Sequence, residues 1–592
     1  MAGKGIVITG EGIVSAIGND KKSVRTAIGG SRTGIGEMRY LQSEHHELPV
    51  GEVKLSDDEM KRLLDIPADR TVSRTTLLGI MAVREALRQS GVEKGASRRI
   101  ILISGTTVAG MDVTEKNFGK MLAAAGDKQE SCDLSWLGHH DCGSCTEDIA
   151  HYFGIFDDFT TTSTACSSAT NAIILGADML KAGDADIVVA GGTEALSRFH
   201  LDGFNSLMIL DHDICRPFDS SRNGLNLGEG AAYVVMERED EARERGAAID
   251  AWLSGYGNAC DAYHQTASSP EDTGAQMAMR EALAMAGMKS ADIQWVHAHG
   301  TGTQNNDSSE VVAIDRVFGD TTPLVTSTKG FTGHTTSASG AIAAVISILA
   351  MHDGFVPVSL GTENPISKAI PTAQSPIKTE LQNVMVNSFG FGGNDSSLIL
   401  SASDNGCQRE EFTGNIGVEE VARVENNSVE NLKDIRRYVS AMEARRMGKL
   451  LKSALMTSLR ALETAAVSPD AIVTATAHGS LEYSERLLTA MATGDAFKPT
   501  YFMQSTHNTT GSTIAIHLKC HGYNTTISQG RQSMQWALYQ AELLIRSGRC
   551  KTVLVGCHDE MAPLFAKFMS MAGFAPEPEV ASTAIVLRAV KK

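Results

Sequence analysis

The chain has 592 residues, a formal net charge of −17 and a sequence pI of about 5.5. This length exceeds what a single hydrophobic core supports, so about two to four structural units are expected. The negative charge argues against nonspecific nucleic-acid binding. Without an uncharged apolar run of roughly 18 residues, no transmembrane helix and no membrane partner are expected. Ten cysteines without the layout of a signal peptide favour a reducing compartment, so we expect a cytoplasmic protein.

The first part of the chain begins with a strand and a glycine turn in "GIVITGEGIVSAIG". Ser15 stands where a dinucleotide-binding fingerprint has its third glycine, so nicotinamide binding is rejected. Strand and helix signals alternate over residues 1–402, which predicts a layered α/β domain.

Two groups of potential metal ligands occur, and neither predicts a metal site. Cys142 and Cys145 form a single CxxC pair, without a second pair at zinc spacing. The potential ligands near this pair are Cys132, His139 and His140. His297 and His299 alternate as strand residues do, but two imidazoles without a third ligand are weak evidence for a metal. We therefore expect neither a metal nor a bound organic cofactor.

A cysteine stands at the start of a predicted helix in "TACSSATNAIILGADMLKAG". Small or apolar residues recur at helical spacing from Ala169 to Leu180, and Gly183 ends the helix. Unpaired N–H groups and the positive dipole end at a helix N-terminus lower the pKa of a thiol such as Cys166. This predicts a nucleophilic thiolate. The alternative is a small, buried and unreactive side chain, and the stretch alone leaves both open.

Three later turns carry further polar groups. "VHAHGTGT" places His299 after a strand, "STKGFTGH" places Lys329 and His334 before an apolar helix, and "NSFGFGG" leads into a strand. Each histidine taken singly is more often structural. With Cys166, however, the set contains a thiolate to carry an acyl group and two imidazoles to bind an enolate oxygen. These are the components of a decarboxylative Claisen condensation.

The chain becomes polar and charged over residues 403–437, which predicts a linker. Beyond it, residues 525–557 repeat the stretch that begins at Thr160, with Thr526 aligned to Thr161 and Gly548 to Gly183. Cys166 then falls on Arg531, or on Gln532 if the register slips by one. This second copy of the unit therefore lacks the thiol.

The chain from Gly5 to Leu400 resembles the β-ketoacyl-acyl carrier protein synthases, closest to the elongating type of bacterial type II systems. "VITGEGIVSAIG", "TACSSA", "RPFDSSRNGLNLGEGAA", "HAHGTGT", "STKGFTGH" and "NSFGFGG" stand in family order at family spacing. The resemblance implies an α/β, thiolase-like, five-layered αβαβα fold. It divides this part of the chain into a nucleophile half, 1–250, and a half with the histidine pair, 251–402.

The resemblance also implies roles for seven side chains and a partner, acyl carrier protein, whose phosphopantetheine arm delivers the acyl and malonyl groups. By this resemblance Cys166 accepts the acyl group, and His299 and His334 polarise the malonyl thioester after acylation. Lys329 is the supporting lysine and Glu310 its acidic companion. The N–H of Phe391 joins that of Cys166 in the oxyanion hole, and Phe389 lies in the same gating loop. The implied activity is that of an acyltransferase, a 3-oxoacyl-[acyl-carrier-protein] synthase.

Three positions depart from the family pattern and affect the expected shape of the acyl pocket. Asn394-Asp395 replaces the usual Thr-Asn or His-Asn, Ser337–Gly340 replaces Gly-Ala-Ala-Gly, and Leu225 stands where Phe is frequent. Related enzymes fit less well: chain-initiating synthases have Asn at the second histidine, and degradative thiolases have a second cysteine in the last glycine loop. A non-enzymatic scaffold is rejected for residues 1–402.

Residues 438–592 resemble the nucleophile half alone, without the "HGTGT" and "GH" loops. A copy without its nucleophile resembles a chain-length factor, the inactive partner of polyketide ketosynthases. Such fusions are expected in specialised polyketide or aryl polyene-type pathways, with housekeeping fatty-acid elongation as the alternative. We expect this half to dock on the nucleophile half as an intramolecular pseudo-heterodimer and to shape the acyl tunnel, with a homo-oligomer as the alternative.

Overall fold

The computed structural model describes residues 5–93, 98–126, 134–321, 323–404 and 416–591. Most of its strands form three groups of five, and the order of the strands within the sheet is the same in each group. The first group contains β1 (Ile6–Ser15), β2 (Ile100–Gly105), β3 (Asp158–Thr162), β4 (Ile187–Glu194) and β5 (Gly230–Arg238). The second contains β6 (Ala251–Cys260), β7 (Trp295–His297), β8 (Leu324–Thr326), β11 (Asn383–Gly390) and β12 (Asn394–Ser401), with a separate pair, β9 (Phe355–Val356) and β10 (Ile377–Lys378). The third contains β13 (Ile416–Asn426), β14 (Ala471–Ala475), β15 (Asn524–Ile527), β16 (Thr552–Glu560) and β17 (Val580–Lys591).

The three groups repeat the same pattern of pairing. Their strand orders are β3-β2-β4-β5-β1, β8-β7-β11-β12-β6 and β15-β14-β16-β17-β13. In each group the first three strands are parallel and the last two pairings are antiparallel. The chain therefore contains three copies of one α/β unit.

Helices cover the sheets at positions that also correspond between units. The first unit contains α1 (Lys21–Gly29), α2 (Asp57–Leu63), α3 (Arg74–Ser90), α4 (Met111–Gly126), α5 (Cys142–Phe153), α6 (Ser168–Ala182), α7 (Arg198–Ser206) and α8 (Glu239–Glu244). The second contains α9 (Thr273–Ala286), α10 (Gln304–Phe318), α11 (Lys329–Thr332) and α12 (Ser339–Asp353). The third contains α13 (Ala441–Arg446), α14 (Lys449–Ala465), α15 (Leu481–Thr493), α16 (Pro499–Ser505), α17 (Thr509–Leu518), α18 (Ser533–Arg546) and α19 (Pro563–Met571).

The first two units stack as five layers, which is the expected thiolase-like α/β fold. α3 packs outside β1 and β5, α9 packs outside β6 and β12, and α6 and α12 lie between the two sheets. Every residue of α6 from Ser168 to Leu180 is buried. The segment Thr336–Asp353, which contains α12, is apolar enough to cross a membrane, but 89% of it is buried inside the fold. It is therefore packed as a core helix.

The third unit continues the sheet of the first unit through β15, which lies antiparallel to β3. Ile527 pairs with Thr162, and the N–H of Ser163 donates to the carbonyl of Thr526 at 2.9 Å. The N–H of Ser528 donates to the carbonyl of Thr161 at 2.9 Å. The third unit thus lies against the nucleophile half, as the expected docking within one chain requires.

The turn before α18 reproduces the turn before α6. Ala165 and Gly530 have φ values of 52° and 51°, in the left-handed region. In each turn a 3₁₀ segment follows, Ala165–Ser167 in the first unit and Gly530–Gln532 in the third. Arg531 therefore takes the place of Cys166, and the alternative alignment with Gln532 is wrong.

The predicted linker over 403–437 is wrong for its second part. Strand β13 pairs along its length with β17 and corresponds to β1, the first strand of the first unit. Val429–Arg437 then forms 3₁₀ structure. The third unit therefore begins with a strand that precedes residue 438. The prediction failed because an edge strand with one solvated face carries charged residues along it and so resembles a linker in composition.

Helix α18 has the apolar face that the spacing predicts. Ala537, Ala541, Leu544 and Ile545 are buried, while Met534 and Leu538 are partly buried. Gln535 and Glu542 are exposed on the opposite side. In contrast to α6, this helix therefore has one solvated polar face.

Candidate active site

Four turns bring the predicted site residues to one cavity. Cys166 precedes α6, His299 follows β7, His334 follows α11, and Phe391 lies between β11 and β12. The strands β7 and β11 are parallel neighbours, so the turns after them meet at one edge of the sheet.

The thiol of Cys166 and the imidazole of His334 are in direct contact. Sγ lies 3.0 Å from Nε2, and both residues are buried. Within the described residues, Nδ1 of His334 has no hydrogen-bond partner. The ring of His299 lies edge-on to that of His334, with 5.3 Å between ring centroids. A thiol and two imidazoles thus share one buried space.

Burial raises the pKa of the Cys166 thiol to about 11, which contradicts the predicted lowering by the helix N-terminus. The nearby charge of Lys329 and the N–H groups of Phe391 and Cys166 act in the opposite direction but do not outweigh it. Burial also lowers the pKa of both His299 and His334 well below 6.5. At neutral pH the thiol is therefore protonated and lies beside a neutral imidazole that can accept its proton.

Lys329 fixes the proton position on His299. Its Nζ lies 3.5 Å from Nδ1 of His299 and donates to the carbonyl oxygen of the same residue. With Nδ1 facing an ammonium donor, the imidazole proton lies on Nε2. Burial lowers the pKa of Lys329 to about 8, and the negative charge of Glu310 opposes this shift.

Two buried carboxylates at the start of α10 hold the turn that contains His299. Glu310 accepts from the N–H groups of His299 at 2.8 Å and Gly300 at 2.7 Å. Asp307 accepts from the N–H groups of Thr301 at 3.0 Å and Gly302 at 3.2 Å. Burial raises the pKa of Glu310 to about 7. The sequence pattern identified Glu310 but not Asp307, although Asp307 lies three residues before it on the same helix.

Two backbone N–H groups act on the thiol. Those of Cys166 and Phe391 both oppose the rise of the thiol pKa that burial causes. A Cβ atom on Gly390 would lie 3.2 Å from the Cys166 nitrogen, so the two turns are in close contact. Phe389 is buried, with its ring centroid 6.1 Å from that of His299. The paired N–H groups can stabilise an oxyanion formed at a Cys166 thioester.

The site opens to solvent through a cavity of about 510 Å³. Its walls include Phe204, Leu225, Thr266 and Phe391, and Met208 lies at its mouth with 90% of its surface exposed. The rings of Phe204 and Phe391 stack with centroids 5.8 Å apart. A flexible thioester arm can reach the thiol through this opening.

The donor atoms of Cys166, His299 and His334 lie within 4.8 Å of one another, a spacing that a metal ion could bridge. The adjacent ammonium of Lys329 disfavours a divalent cation there. In the described part of the chain, Cys142 and Cys145 belong to no such group of potential metal ligands. Cys132 lies outside the described residues. Both ring nitrogens of His297 face hydroxyl groups, of Ser347 at 3.0 Å and Thr328 at 2.9 Å, which is a structural arrangement.

Sequence reasoning expected the third unit to shape the acyl tunnel but identified none of its residues at the site. Asn508, which precedes α17, donates hydrogen bonds to the carbonyl oxygen of Phe391 and to the side chain of Asn394. No periodicity or motif marked Asn508, because its contact spans more than one hundred residues of sequence. Asn394 was marked as a departure from the family pattern.

Sequence profiles agree with this arrangement of units. The N-terminal domain of β-ketoacyl synthase matches residues 4–242, and its C-terminal domain matches residues 251–363. A second profile of the N-terminal domain matches residues 420–590.

Curated relatives cover the first two units. Nodulation protein E of Rhizobium meliloti (strain 1021) is 33% identical over 404 residues, which are 66% of this chain and 98% of that protein. The 3-oxoacyl-[acyl-carrier-protein] synthase 2 of Staphylococcus aureus (strain COL) is 34% identical over 413 residues, 67% of this chain and 98% of that protein.

Solved structures extend the likeness to the whole chain. The ishigamide ketosynthase/chain length factor is 30% identical with a TM-score of 0.63, over 68% of this chain and 100% of that one. The PfaC ketosynthase-chain length factor has a TM-score of 0.81 over 99% of this chain and 78% of that one, and its 16% identity shows the fold alone.

The fold and the site together define an acyl-transferring condensing enzyme. The chain belongs to the β-ketoacyl synthase family, with a second ketosynthase-like N-terminal domain at its end.

Proposed function

We propose that the protein extends an acyl chain by decarboxylative Claisen condensation, with the acyl group on Cys166 and the malonyl group on acyl carrier protein. The observation that carries this proposal is the 3.0 Å contact between Cys166 Sγ and His334 Nε2, beside the ring of His299. The products are CO₂ and a β-ketoacyl-carrier protein two carbons longer than the starting acyl chain.

In the first step, Cys166 takes the acyl group from its carrier. His334 Nε2 accepts the thiol proton as Sγ attacks the thioester carbonyl, and the N–H groups of Cys166 and Phe391 stabilise the oxyanion. The bond to the pantetheine sulfur breaks, and that sulfur leaves with the proton. A base is required because burial keeps the thiol protonated at neutral pH.

In the second step, malonyl-carrier protein loses CO₂ and leaves an enolate. His299 donates from Nε2 to the enolate oxygen. His334 becomes the second donor once its one remaining proton has moved from Nδ1 to Nε2, because acylated Sγ no longer offers a proton to Nε2. The enolate carbon attacks the acyl carbonyl, and the tetrahedral intermediate collapses with Cys166 as leaving group. The Cys166 sulfur then takes up one proton, which restores the enzyme.

Lys329 and Glu310 support this chemistry without contacting the reacting atoms. Lys329 holds His299 in the Nε2–H form, and Glu310 holds the backbone of the same turn. We retain the division at residues 250 and 402 for the two ketosynthase halves, and we propose that the protein acts in the cytoplasm.

The third unit is proposed to act as a chain-length factor in a specialised polyketide or aryl polyene-type pathway. Its Phe502 packs so closely on α7 that a Cβ on Gly203 would lie 2.2 Å from the ring. The ring centroid is 5.3 Å from that of Phe204, which lines the cavity. The unit thus backs one wall of the site, and 29% identity to a ketosynthase solved with its chain length factor from Xenorhabdus doucetiae supports the pairing.

Housekeeping fatty-acid elongation is the second candidate, because the Staphylococcus aureus relative is a 3-oxoacyl-[acyl-carrier-protein] synthase. A reconstituted assay tests both functions. Purified protein, malonyl-carrier protein and a series of acyl-carrier proteins are incubated, and products on the carrier are weighed by mass spectrometry. We expect β-keto products, and repeated extension without ketoreduction supports a polyketide role. Acceptance of reduced chains only, with one extension each, supports fatty-acid elongation, and the absence of any extension would overturn both.

A further inference from the structure

A single asparagine of the third unit clamps the glycine turn of the active site. Asn508 Nδ2 donates to the carbonyl oxygen of Phe391 at 2.8 Å and to Oδ1 of Asn394 at 2.6 Å. Both N–H bonds of the amide are therefore used, one at each end of the turn Gly390–Gly393. Asn508 is 1% exposed, so its contacts are shielded from bulk solvent.

The turn is packed against the third unit along its length. A Cβ on Gly392, whose φ is 87°, would lie 2.0 Å from Oγ of Ser512 on α17. Asn394 in turn donates from Nδ2 to Oδ1 of Asn524 at 3.1 Å. The conformation of this turn thus depends on groups outside the two ketosynthase halves.

The same network reaches the turn before the nucleophile. The N–H of Asn524 donates to Oδ1 of Asn258 at 2.8 Å, and Asn258 donates to Oδ1 of Asn171 at 2.8 Å. Asn171 donates to Oγ1 of Thr164 at 2.8 Å, two residues before Cys166. Buried amides therefore connect the turn that contains Phe391 with the turn that contains Cys166.

We propose that Asn508 is a positioning residue for the oxyanion hole, supplied by the unit that lacks a nucleophile. This inference rests on the proposed acyl transfer to Cys166. The amide holds the carbonyl of Phe391 and the side chain of Asn394, and so fixes the direction of the Phe391 N–H toward the sulfur. Within the described residues, Oδ1 of Asn508 has no hydrogen-bond partner, so donation is the polar role of this side chain.

The departure at Asn394 fits this role. An asparagine there offers an acceptor oxygen to Asn508 and an N–H to Asn524 at the same time. Asn394 Nδ2 donates to both the carbonyl oxygen and Oδ1 of Asn524, each at 3.1 Å. A threonine hydroxyl, which the family commonly has at this position, can accept from Asn508 but supplies a single proton for these two acceptors. The pair Asn394 and Asn508 thus forms a two-way bridge across the boundary between the units.

The test uses the full chain and two near-isosteric variants. Asn508→Leu removes both donated bonds. The control Gln529→Met removes another buried amide of the third unit, which donates to the carbonyl of Gly143 in the first unit at 3.2 Å. Acyl transfer from an acyl-carrier protein to Cys166 is timed by intact-mass spectrometry. We expect at least a tenfold slower transfer for Asn508→Leu, with an unchanged KM for the carrier, and a change under threefold for Gln529→Met.

The pH profile of Cys166 alkylation by iodoacetamide is the second readout. The Phe391 N–H lowers the pKa of the Cys166 thiol. We therefore expect Asn508→Leu, which leaves this N–H unpositioned, to move the alkylation profile to higher pH, and Gln529→Met to leave the profile unchanged. Equal effects of the two substitutions, or transfer by Asn508→Leu within twofold of the parent, would overturn the clamp. If Asn508→Leu does not fold, Asn508→Ser is measured in the same way. If the parent takes up no acyl group, the proposed function fails and the alkylation profile alone decides the clamp.

Discussion

At the residue scale, the three side chains proposed to act on the substrate are uncharged at neutral pH. Burial raises the pKa of the Cys166 thiol and lowers the pKa of His299 and His334. Lys329, whose pKa is lowered to about 8, is the cation closest to them. An uncharged site admits an acyl thioester without a large desolvation cost, and its donors act as charge develops during the reaction.

The raised pKa predicts how Cys166 reacts with iodoacetamide. The thiolate is the reactive form, so the rate rises about tenfold per pH unit from pH 7 toward the thiol pKa of about 11. Deprotonation of Lys329 above about pH 8 removes a positive charge and pushes the thiol pKa higher still. Quenched alkylation followed by peptide mapping measures this profile, with Cys166→Ala as the control. A rate plateau below pH 8 would show that the thiolate is already formed at neutral pH.

The two histidines should fail at different steps. His299→Ala removes a donor to the enolate but no group that touches Sγ, so acyl transfer continues while CO₂ release falls about 10²–10³-fold. His334→Ala slows both steps, because Nε2 lies 3.0 Å from Sγ. For His334 this differs from the expectation that both histidines act mainly after acylation. Acyl-enzyme formation and CO₂ release are measured separately, and normal CO₂ release by His299→Ala would contradict its role.

The motifs singled out Cys166, His299 and His334 because each lies in a short glycine- or serine-rich turn whose spacing can be read along the chain. The structure brings these three side chains into one buried space. The thiol pKa could not be obtained in this way. It depends on how completely the second unit covers α6, and burial outweighs the helix terminus that the local sequence indicates.

At the element scale, α16 of the third unit meets α7 of the first. Phe502 on α16 is buried against Gly203 and lies in ring contact with Phe199 and Phe204 on α7. Phe204 in turn stacks on Phe391 at the cavity wall. The position of this wall is therefore set by two layers of aromatic rings, one of them from the third unit.

Removing the outer ring should lengthen the product. Phe502→Ala opens space behind Phe204, at a stability cost of about 3–5 kcal/mol, and allows a longer acyl chain. The control Phe568→Ala removes a buried ring that contacts Phe118 and Trp136 and not Phe204. Mass spectrometry of carrier-bound products should show chains longer by at least two carbons for Phe502→Ala alone. The same product length in both variants would exclude Phe502 from chain-length control.

Strand β13 shows where pattern reading fails at this scale. Its sequence IGVEEVARVEN alternates apolar and charged residues, but its charges resemble the neighbouring polar stretch. Pairing with β17, more than 150 residues later, makes it a strand, and this partner cannot be inferred from local composition. By contrast, α18 was predictable because its apolar face has helical spacing over four turns.

At the scale of the whole molecule, the third unit is tied to the first by charge as well as by strand pairing. His478 of the third unit lies 3.0 Å from Asp141 at the start of α5 and 3.2 Å from Glu577. Asp141 in particular raises the pKa of His478 well above 6.5, so the imidazole is protonated in the folded protein. Other titratable groups that act on this cluster include Asp559, His140, His507 and Arg531.

The His478 contact should stabilise the protein in a pH-dependent manner. Because its pKa is higher in the folded state, its stabilisation is complete below about pH 6.5 and declines as the pH rises through the folded-state pKa. His478→Gln should lose about 2 kcal/mol at pH 6 and much less at pH 10. His521→Gln is the control, because His521 of the third unit bonds the carbonyl of Cys260 in the second unit without a carboxylate. Melting temperatures of both variants at the two pH values test this, and an equal loss at both pH values for His478→Gln would contradict it.

The central claim is that Cys166 carries the acyl chain, and intact-mass spectrometry tests it most directly. The protein and its Cys166→Ala variant are incubated with acyl-carrier protein, weighed intact and then mapped by peptide digestion. We predict one acyl group per chain on the peptide that contains Cys166, and none on the variant, whose fold is retained. A stoichiometric acyl adduct on Cys166→Ala, or an adduct of the parent that maps to another residue, would contradict the account.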